Sequence, residues 1–201
     1  PKAMLGYRLN ENSFIRYDVE MSQTNPTLVE LTDTEIRLDP YLAERGNLLL
    51  KPYSNLNNNL FYEHKKGLFT FNANLRHHYK HNPIMESVKE QGNIFLIIPE
   101  NMKSWNKYNA EMNLKVGMIK NILQFSLTGG YNHFNSQGNN YSHEYSNFYY
   151  SANVLAMYKK WMFIVQIQPF DEKLYGETVI KSDNYHYLAI QYNTDNFSFG
   201  L

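Results

Sequence analysis

Histidine is the residue type in this sequence that comes closest to forming a reactive or metal-binding group. Four of the seven histidines lie in or beside two neighbouring predicted strands: His64, His77, His78 and His81. A zinc site needs at least three ligands that converge on one point. His77 and His78 are adjacent on a strand, so they point to opposite faces, and only one of them can join His64. We therefore expect polar side chains near the end of a strand, and no metal site.

A second set of candidates is charged and lies on the polar faces of predicted strands. It consists of Arg16, Asp18, Glu20, Arg76, Glu111 and Lys115. These side chains could pair across strands and line a watery interior that contacts another domain or a hydrophilic substrate. They could equally be solvated charges without a specific role, which is the reading we favour for any single residue.

Motifs of catalysis and cofactor binding are missing from the sequence. It contains no G-x-S-x-G, P-loop, G-x-G-x-x-G or H-E-x-x-H pattern. It has no cysteine, which excludes disulfides, thiolate metal sites and thiol nucleophiles. Nineteen basic residues balance nineteen acidic ones, so the net charge does not favour a nucleic-acid partner. We predict no enzyme activity, no cofactor and no catalytic residue, and the substrate-binding residues remain open.

The pair Gly129-Gly130 is interpreted as relief for close packing or strand bending.

The composition favours strands and wet turns over helices. The 201 residues include 17 Tyr, 12 Phe and 26 Asn. Aromatic residues favour strands and Asn favours turns. The mean hydropathy is −0.55, and no stretch approaches the 18 apolar residues of a spanning helix. The first residues, 1–4, carry no signal-peptide pattern, which indicates a mature chain or a piece of a longer one.

Strict alternation of apolar and polar residues is the strongest pattern in the chain. In residues 108–118, the even-numbered side chains are apolar or aromatic and the odd-numbered ones are mostly polar, as in a strand with one face in each environment. The same reading predicts ten strands, at 3–9, 15–21, 56–64, 68–79, 108–118, 122–134, 147–158, 162–170, 184–193 and 197–201.

The predicted connections alternate between short and long without a break. The short ones are 10–12, 65–67, 119–121, 159–161 and 194–196. The long ones are 22–54, 81–103, 135–146 and 171–183. An up-and-down antiparallel meander with tight turns at one end and long loops at the other is the layout of a transmembrane β-barrel. The tight turns are then periplasmic and the long loops lie outside the cell.

The strands of a soluble sandwich or of a lipocalin-like barrel would also alternate apolar and polar residues. Three features favour the membrane. The predicted strands are long, the polar faces carry charged residues at successive positions, and aromatic residues collect near strand ends as in an interfacial girdle. The predicted girdle consists of Tyr79, Trp105, Tyr108, Tyr131, Phe148, Tyr150, Tyr158 and Trp161.

The first long connection carries a recognisable motif. It runs from Ser22-Gln23-Thr24-Asn25-Pro26 through Asp39-Pro40-Tyr41-Leu42 to Gly46-Asn47-Leu48-Leu49-Leu50-Lys51-Pro52, and a strand then opens with Ser54-Asn55-Leu56. This resembles the TonB-dependent receptor barrels, and most closely the outer membrane protein beta-barrel family, in which a GNP-x-L-x-P motif leads into the next strand. Leu48 stands where that family usually has proline. The resemblance covers about residues 14–86, with a weaker strand-by-strand likeness to the end.

The resemblance implies a larger parent with a plug and a barrel of ~22 strands. Residues 1–201 are then a single domain, an arc from the C-terminal region of that barrel, in the cell outer membrane. The implied function is import of a small nutrient by a TonB-dependent receptor, and the implied partners are membrane lipid, the plug domain and the TonB system. Two alternatives stay open at this point. One is a complete ten-strand barrel enzyme, and the other is a soluble β-domain that binds a surface partner.

Overall fold

The computed structural model describes residues 1–119, 122–168, 172–194 and 197–200, and these form sixteen strands. In chain order they are β1 Lys2–Asn10, β2 Ser13–Thr24, β3 Glu35–Arg37, β4 Leu42–Arg45, β5 Tyr53–Lys66, β6 Phe69–His81, β7 Ile84–Gln91, β8 Ile94–Asn101, β9 Ser104–Ile119, β10 Leu123–Gln137, β11 Ser142–Tyr158, β12 Trp161–Gln168, β13 Glu172–Tyr175, β14 Thr178–Lys181, β15 Tyr185–Asn193 and β16 Ser198–Gly200. No helix in these residues is long and apolar enough to cross a membrane.

Ten strands form one antiparallel sheet in the order β1-β2-β5-β6-β9-β10-β11-β12-β15-β16. Each strand pairs with the next one of the sheet along the chain, so the predicted meander is confirmed. Within the described residues β1 pairs only with β2, and β16 only with β15. Among these residues the sheet is therefore open at both edges and does not close into the ten-strand barrel of the first alternative.

Side chains of this sheet alternate between an apolar face, which we call outward, and a polar face, which we call inward, as predicted. On β6 and β9 the outward row pairs Leu75 with Ala110, and the next residues along, Arg76 and Asn109, pair on the inward row. Of the predicted girdle, every aromatic except Trp105 lies on the outward face. Trp105 belongs to the inward row, so its assignment to the girdle is wrong.

Tight turns join the strands at one end. Residues 11–12, 67–68 and 159–160 separate β1 from β2, β5 from β6 and β11 from β12, as predicted. The predicted turns at 119–121 and 194–196, the end of the strand predicted at 162–170, and Leu201 fall wholly or partly outside the described residues.

Three connections predicted as long loops contain strands of their own. Those at 22–54 and 81–103 supply a four-stranded sheet in the order β3-β4-β8-β7, in which β4 and β8 are parallel. The connection at 171–183 contains the hairpin β13–β14. Apolar runs such as 94–98 have strand propensity. The small sheet, however, forms only when two connections that are distant in sequence pair with each other, and local sequence patterns do not predict that pairing.

The connection predicted at 135–146 is shorter than expected. Pairing of β10 with β11 continues to Gln137 and Ser142, which leaves four residues between them. The alternation of short and long connections therefore breaks here. Outside the membrane both faces of a hairpin can be polar. A strand rich in Asn and Ser then lacks the alternation of apolar and polar residues, so its sequence predicts a loop.

The motif that carries the resemblance joins the first two of these connections. The Gly46 and Asn47 amides donate to the Thr32 and Glu30 carbonyls at 3.0 and 2.6 Å. A Cβ at Gly46 would lie 2.4 Å from the Thr32 oxygen, so only glycine allows this approach. The Asn47 side-chain amide donates to the Pro99 carbonyl at 3.1 Å. The Gly-Asn pair thus fixes the small sheet.

Candidate functional site

The inward face of the ten-stranded sheet carries a connected polar network across four strands. Arg76 donates to Glu111 at 3.1 Å and to Asn109 at 3.2 Å. The Asn109 amide donates to Asn132 and to the Tyr149 hydroxyl, both at 2.9 Å, and Tyr149 donates to Glu111 at 2.7 Å. A buried polar group is stable only when it is hydrogen-bonded, and each member here has at least one partner. These residues line a concavity of about 250 Å³ together with His78 and Lys107.

A glycine makes room for this network. Gly130 pairs with Tyr149, and a Cβ at Gly130 would lie 2.3 Å from the Tyr149 Cζ atom. The ring therefore lies over the glycine, which places the hydroxyl between Asn109 and Glu111. The interpretation of Gly130 as relief for close packing is confirmed.

The predicted charged candidates take different roles. Arg76 and Glu111 pair across strands as expected. Arg16 instead bonds Asp18 on its own strand, at 2.8 Å. Within the described residues, Glu20 and Lys115 make no ion pair.

The histidines considered in the sequence analysis do not lie together on one face of the sheet. His78 faces inward and bonds Asn57 at 2.6 Å, whereas His77 faces outward and stacks on Tyr108 with ring centres 4.5 Å apart. His64 bonds the Ser13 hydroxyl at 2.9 Å. Within the described ranges no three His, Asp or Glu side chains converge as metal ligands would.

The hairpin β13–β14 covers the end of the inward face that lies opposite the tight turns. The Trp105 indole N–H donates to the Leu174 carbonyl, and the Asn147 amide donates to the Glu172 carbonyl, both at 2.9 Å. Phe134 on β10 and Leu174 on the hairpin itself are both buried. Sequence reasoning missed this contact, because the hairpin lies in a segment predicted as loop.

The same hairpin also reaches the small sheet. The Tyr175 hydroxyl donates to the Ile84 carbonyl at 3.2 Å. Burial raises the pKa of the Tyr175 hydroxyl, and the nearby Tyr53 and Glu86 act in the same direction. The hydroxyl is therefore protonated and able to donate over the ordinary pH range.

Comparison with known proteins agrees with the geometry. The model of the outer membrane protein beta-barrel family matches residues 1–196. The chain belongs to this family. No curated protein matches it. An outer-membrane location follows for this family member, in agreement with the apolar outward face of its sheet.

Several solved receptor structures share the fold of this family member. The siderophore receptor PirA from Pseudomonas aeruginosa superposes with a TM-score of 0.68 at 15% identity, over 98% of this chain and 34% of the receptor. The ferric enterobactin receptor PfeA of the same organism, in a mutant complex with enterobactin, gives 0.66 at 14%, over 100% and 34%. PirA from Acinetobacter baumannii gives 0.65 at 9%, over 100% and 36%. The chain thus spans about a third of the length of these receptors, and at these identities the likeness shows the fold.

Proposed function

We propose that this chain is part of the barrel of a TonB-dependent receptor that binds a small nutrient and imports it across the outer membrane. The observation that carries the proposal is the inward network of Arg76, Asn109, Glu111, Asn132 and Tyr149. A sheet with an apolar outward face and hydrogen-bonded charges on its inward face suits a wall between lipid and a hydrated lumen.

The mechanism divides between the two ends of the sheet. The small sheet β3-β4-β8-β7 and the hairpin β13–β14 lie at the external mouth, where a nutrient would first be captured. The inward polar wall would contact a plug domain, and displacement of that plug through TonB would open the path. The network keeps its charges paired, so the wall offers hydrogen bonds without a large uncompensated charge.

The first substrate class to test is a ferric siderophore, because receptors with this barrel fold include siderophore receptors. Oligosaccharides and peptides come next, since the external connections are rich in Tyr and Asn, which stack on and hydrogen-bond to such ligands.

The test is a deletion of the full-length parent gene. We expect slower growth of the deletion strain on ferric enterobactin as the sole iron source, or on oligosaccharides or peptides as the sole carbon source. Complementation restores growth, and deletion of tonB abolishes the complementation. Equal growth of deletion and parent strains on every source would overturn the proposal.

A further inference from the structure

The inward face carries a row of basic side chains between the polar network and the end opposite the tight turns. Arg76, His78 and Lys80 occupy successive inward positions of β6. Lys107 of β9 pairs with His78 in the register of the sheet, so it lies beside this row. Residues two apart on a strand are separated by about 7 Å, and Lys107 and Lys80 therefore present positive charge at two successive levels of the wall.

This part of the wall has no carboxylate of its own. From the level of Arg76 to the end opposite the tight turns, the inward positions of β5, β6, β9, β10 and β11 hold no Asp or Glu. Glu111 lies one inward position nearer the tight turns and is already bonded by Arg76 and Tyr149. Within the described residues Lys80 makes no ion pair.

Aromatic rings hold the ammonium groups in place. The Lys80 Nζ atom lies 5.8 Å from the centre of the Tyr53 ring and 5.4 Å from that of Trp105. The Trp105 indole N–H is bonded to the hairpin β13–β14, which fixes the ring. The Lys107 Nζ atom lies 5.2 Å from the centre of the Phe134 ring. A ring face orients an ammonium group but carries no full negative charge, so an anion from outside this wall can still pair with it.

The concavity beside Lys107 limits the size of what it can hold. Its volume is about 250 Å³, below the ~300–1,000 Å³ of pockets that enclose a whole drug-sized ligand. One unit of a chain-like ligand therefore fits better than a compact chelate. Polar atoms of Asn109, Asn132 and Tyr149 line the concavity beside Arg76 and Lys107. Amides and a phenol bond to hydroxyl groups, and cations bind carboxylates, so a sugar unit that carries a carboxylate matches this lining.

We propose that this wall binds an acidic oligosaccharide, with the carboxylates of its sugar units against Lys107 and Lys80. The inference rests on the import function proposed above and names the substrate of that path. Arg76 remains paired with Glu111 and holds the network together, while the two lysines supply the charge that selects a uronic acid over a neutral sugar.

The test uses the full-length parent protein purified in mild detergent, with isothermal titration calorimetry as the readout. The probes are a galacturonic acid trimer, the carboxyl-reduced trimer of the same linkage, and ferric enterobactin. We expect the wild type to bind the acidic trimer at least about tenfold more tightly than the neutral one, because a charge-assisted hydrogen bond contributes about that factor. The difference should shrink as the salt concentration rises.

Two substitutions remove the charges one at a time. Lys80→Gln and Lys107→Gln are each expected to weaken binding of the acidic trimer about tenfold and to leave binding of the neutral trimer unchanged. Lys80→Arg keeps the charge and should keep the preference. The matched control is Lys115→Gln, which makes the same change on the inward face of β9 near the tight turns and should bind both trimers as the wild type does.

Three outcomes would overturn the inference. They are equal affinity of the wild type for the two trimers, binding of ferric enterobactin without binding of the acidic trimer, and unchanged affinity in both lysine variants. In the last case a lower melting temperature of the unliganded variants would assign the lysines to contact with the plug. Heat-modifiable migration on gels verifies that each variant is folded. The import function itself is decided separately, by growth of the deletion strain.

Discussion

The ten-stranded sheet buries mainly polar side chains, whereas the small sheet β3-β4-β8-β7 buries apolar ones. In the large sheet Met112 is 62% exposed, whereas Asn132 is 1% exposed. In the small sheet the apolar residues Ala43, Leu96 and Ile98 form the buried cluster. The small sheet has an ordinary hydrophobic core in water, and the large sheet places its apolar side against lipid and its polar side against the lumen. The solvent of each region thus decides which residues are buried.

Truncation of an apolar side chain should separate the two regions most strongly. Leu96→Ala leaves a cavity in the small sheet and is expected to cost about 2–5 kcal/mol of its local stability. Met112→Ala is expected to cost less than about 1 kcal/mol, because lipid chains fill the space. Hydrogen exchange of the amides of β4 and β8 in the full-length protein measures the first effect, and denaturant unfolding from lipid vesicles measures the second. Equal costs would contradict the comparison.

A charge on each face of β9 tests the orientation of the large sheet. Met112→Lys places an ammonium at the centre of the lipid-facing band and is expected to cost about 2–4 kcal/mol. Asn113→Lys is the matched inward variant, and we expect its cost to be much smaller because the ammonium remains hydrated. Unfolding in urea from vesicles gives both values. A larger cost for Asn113→Lys would reverse the assignment of the faces.

The two adjacent glycines sharpen the contrast within one strand. Gly130→Ala pushes the Tyr149 ring away from Asn109 and Glu111 and is expected to cost about 1–3 kcal/mol. Gly129→Ala meets open space on the outward face, and its effect is expected to stay within about 0.5 kcal/mol of zero. The same vesicle-unfolding measurement serves for both variants, and a neutral Gly130→Ala would mean that the network does not stabilise the sheet.

The smallest expected effect concerns the hairpin that links the two regions. Tyr175→Phe removes the hydrogen bond to the Ile84 carbonyl and is expected to loosen the hairpin by about 1 kcal/mol. The pKa of Tyr175 is raised in the folded protein, so this stabilisation is complete below the ordinary tyrosine pKa and is lost as pH rises through the raised value. Protease cleavage within residues 172–181, followed from pH 8 to pH 11, should increase in the wild type. The Phe variant should lack that part of the increase, and an identical profile for both would exclude the role of Tyr175.

Much of the candidate site was predictable from alternation alone. The parity of residues 68–79 and 108–118 placed Arg76 and Glu111 on one polar face, and strand order then made them neighbours. The roles of Asn132 and Tyr149 were not predictable in the same way, since their contacts depend on the exact register of β9, β10 and β11. A shift of one residue would move every side chain to the opposite face.

The sequence by itself determined the meander, the two faces of its long strands and the Gly-Asn motif, because alternation and turn residues act over a few neighbouring positions. Only the tertiary structure decided that the first two long connections share a sheet and that Trp105 turns inward to hold a hairpin. Those features depend on contacts between segments such as 42–45 and 94–101, which lie about fifty residues apart. Local propensity does not predict such contacts, because each segment forms its hydrogen bonds and becomes buried only when the other segment is in place.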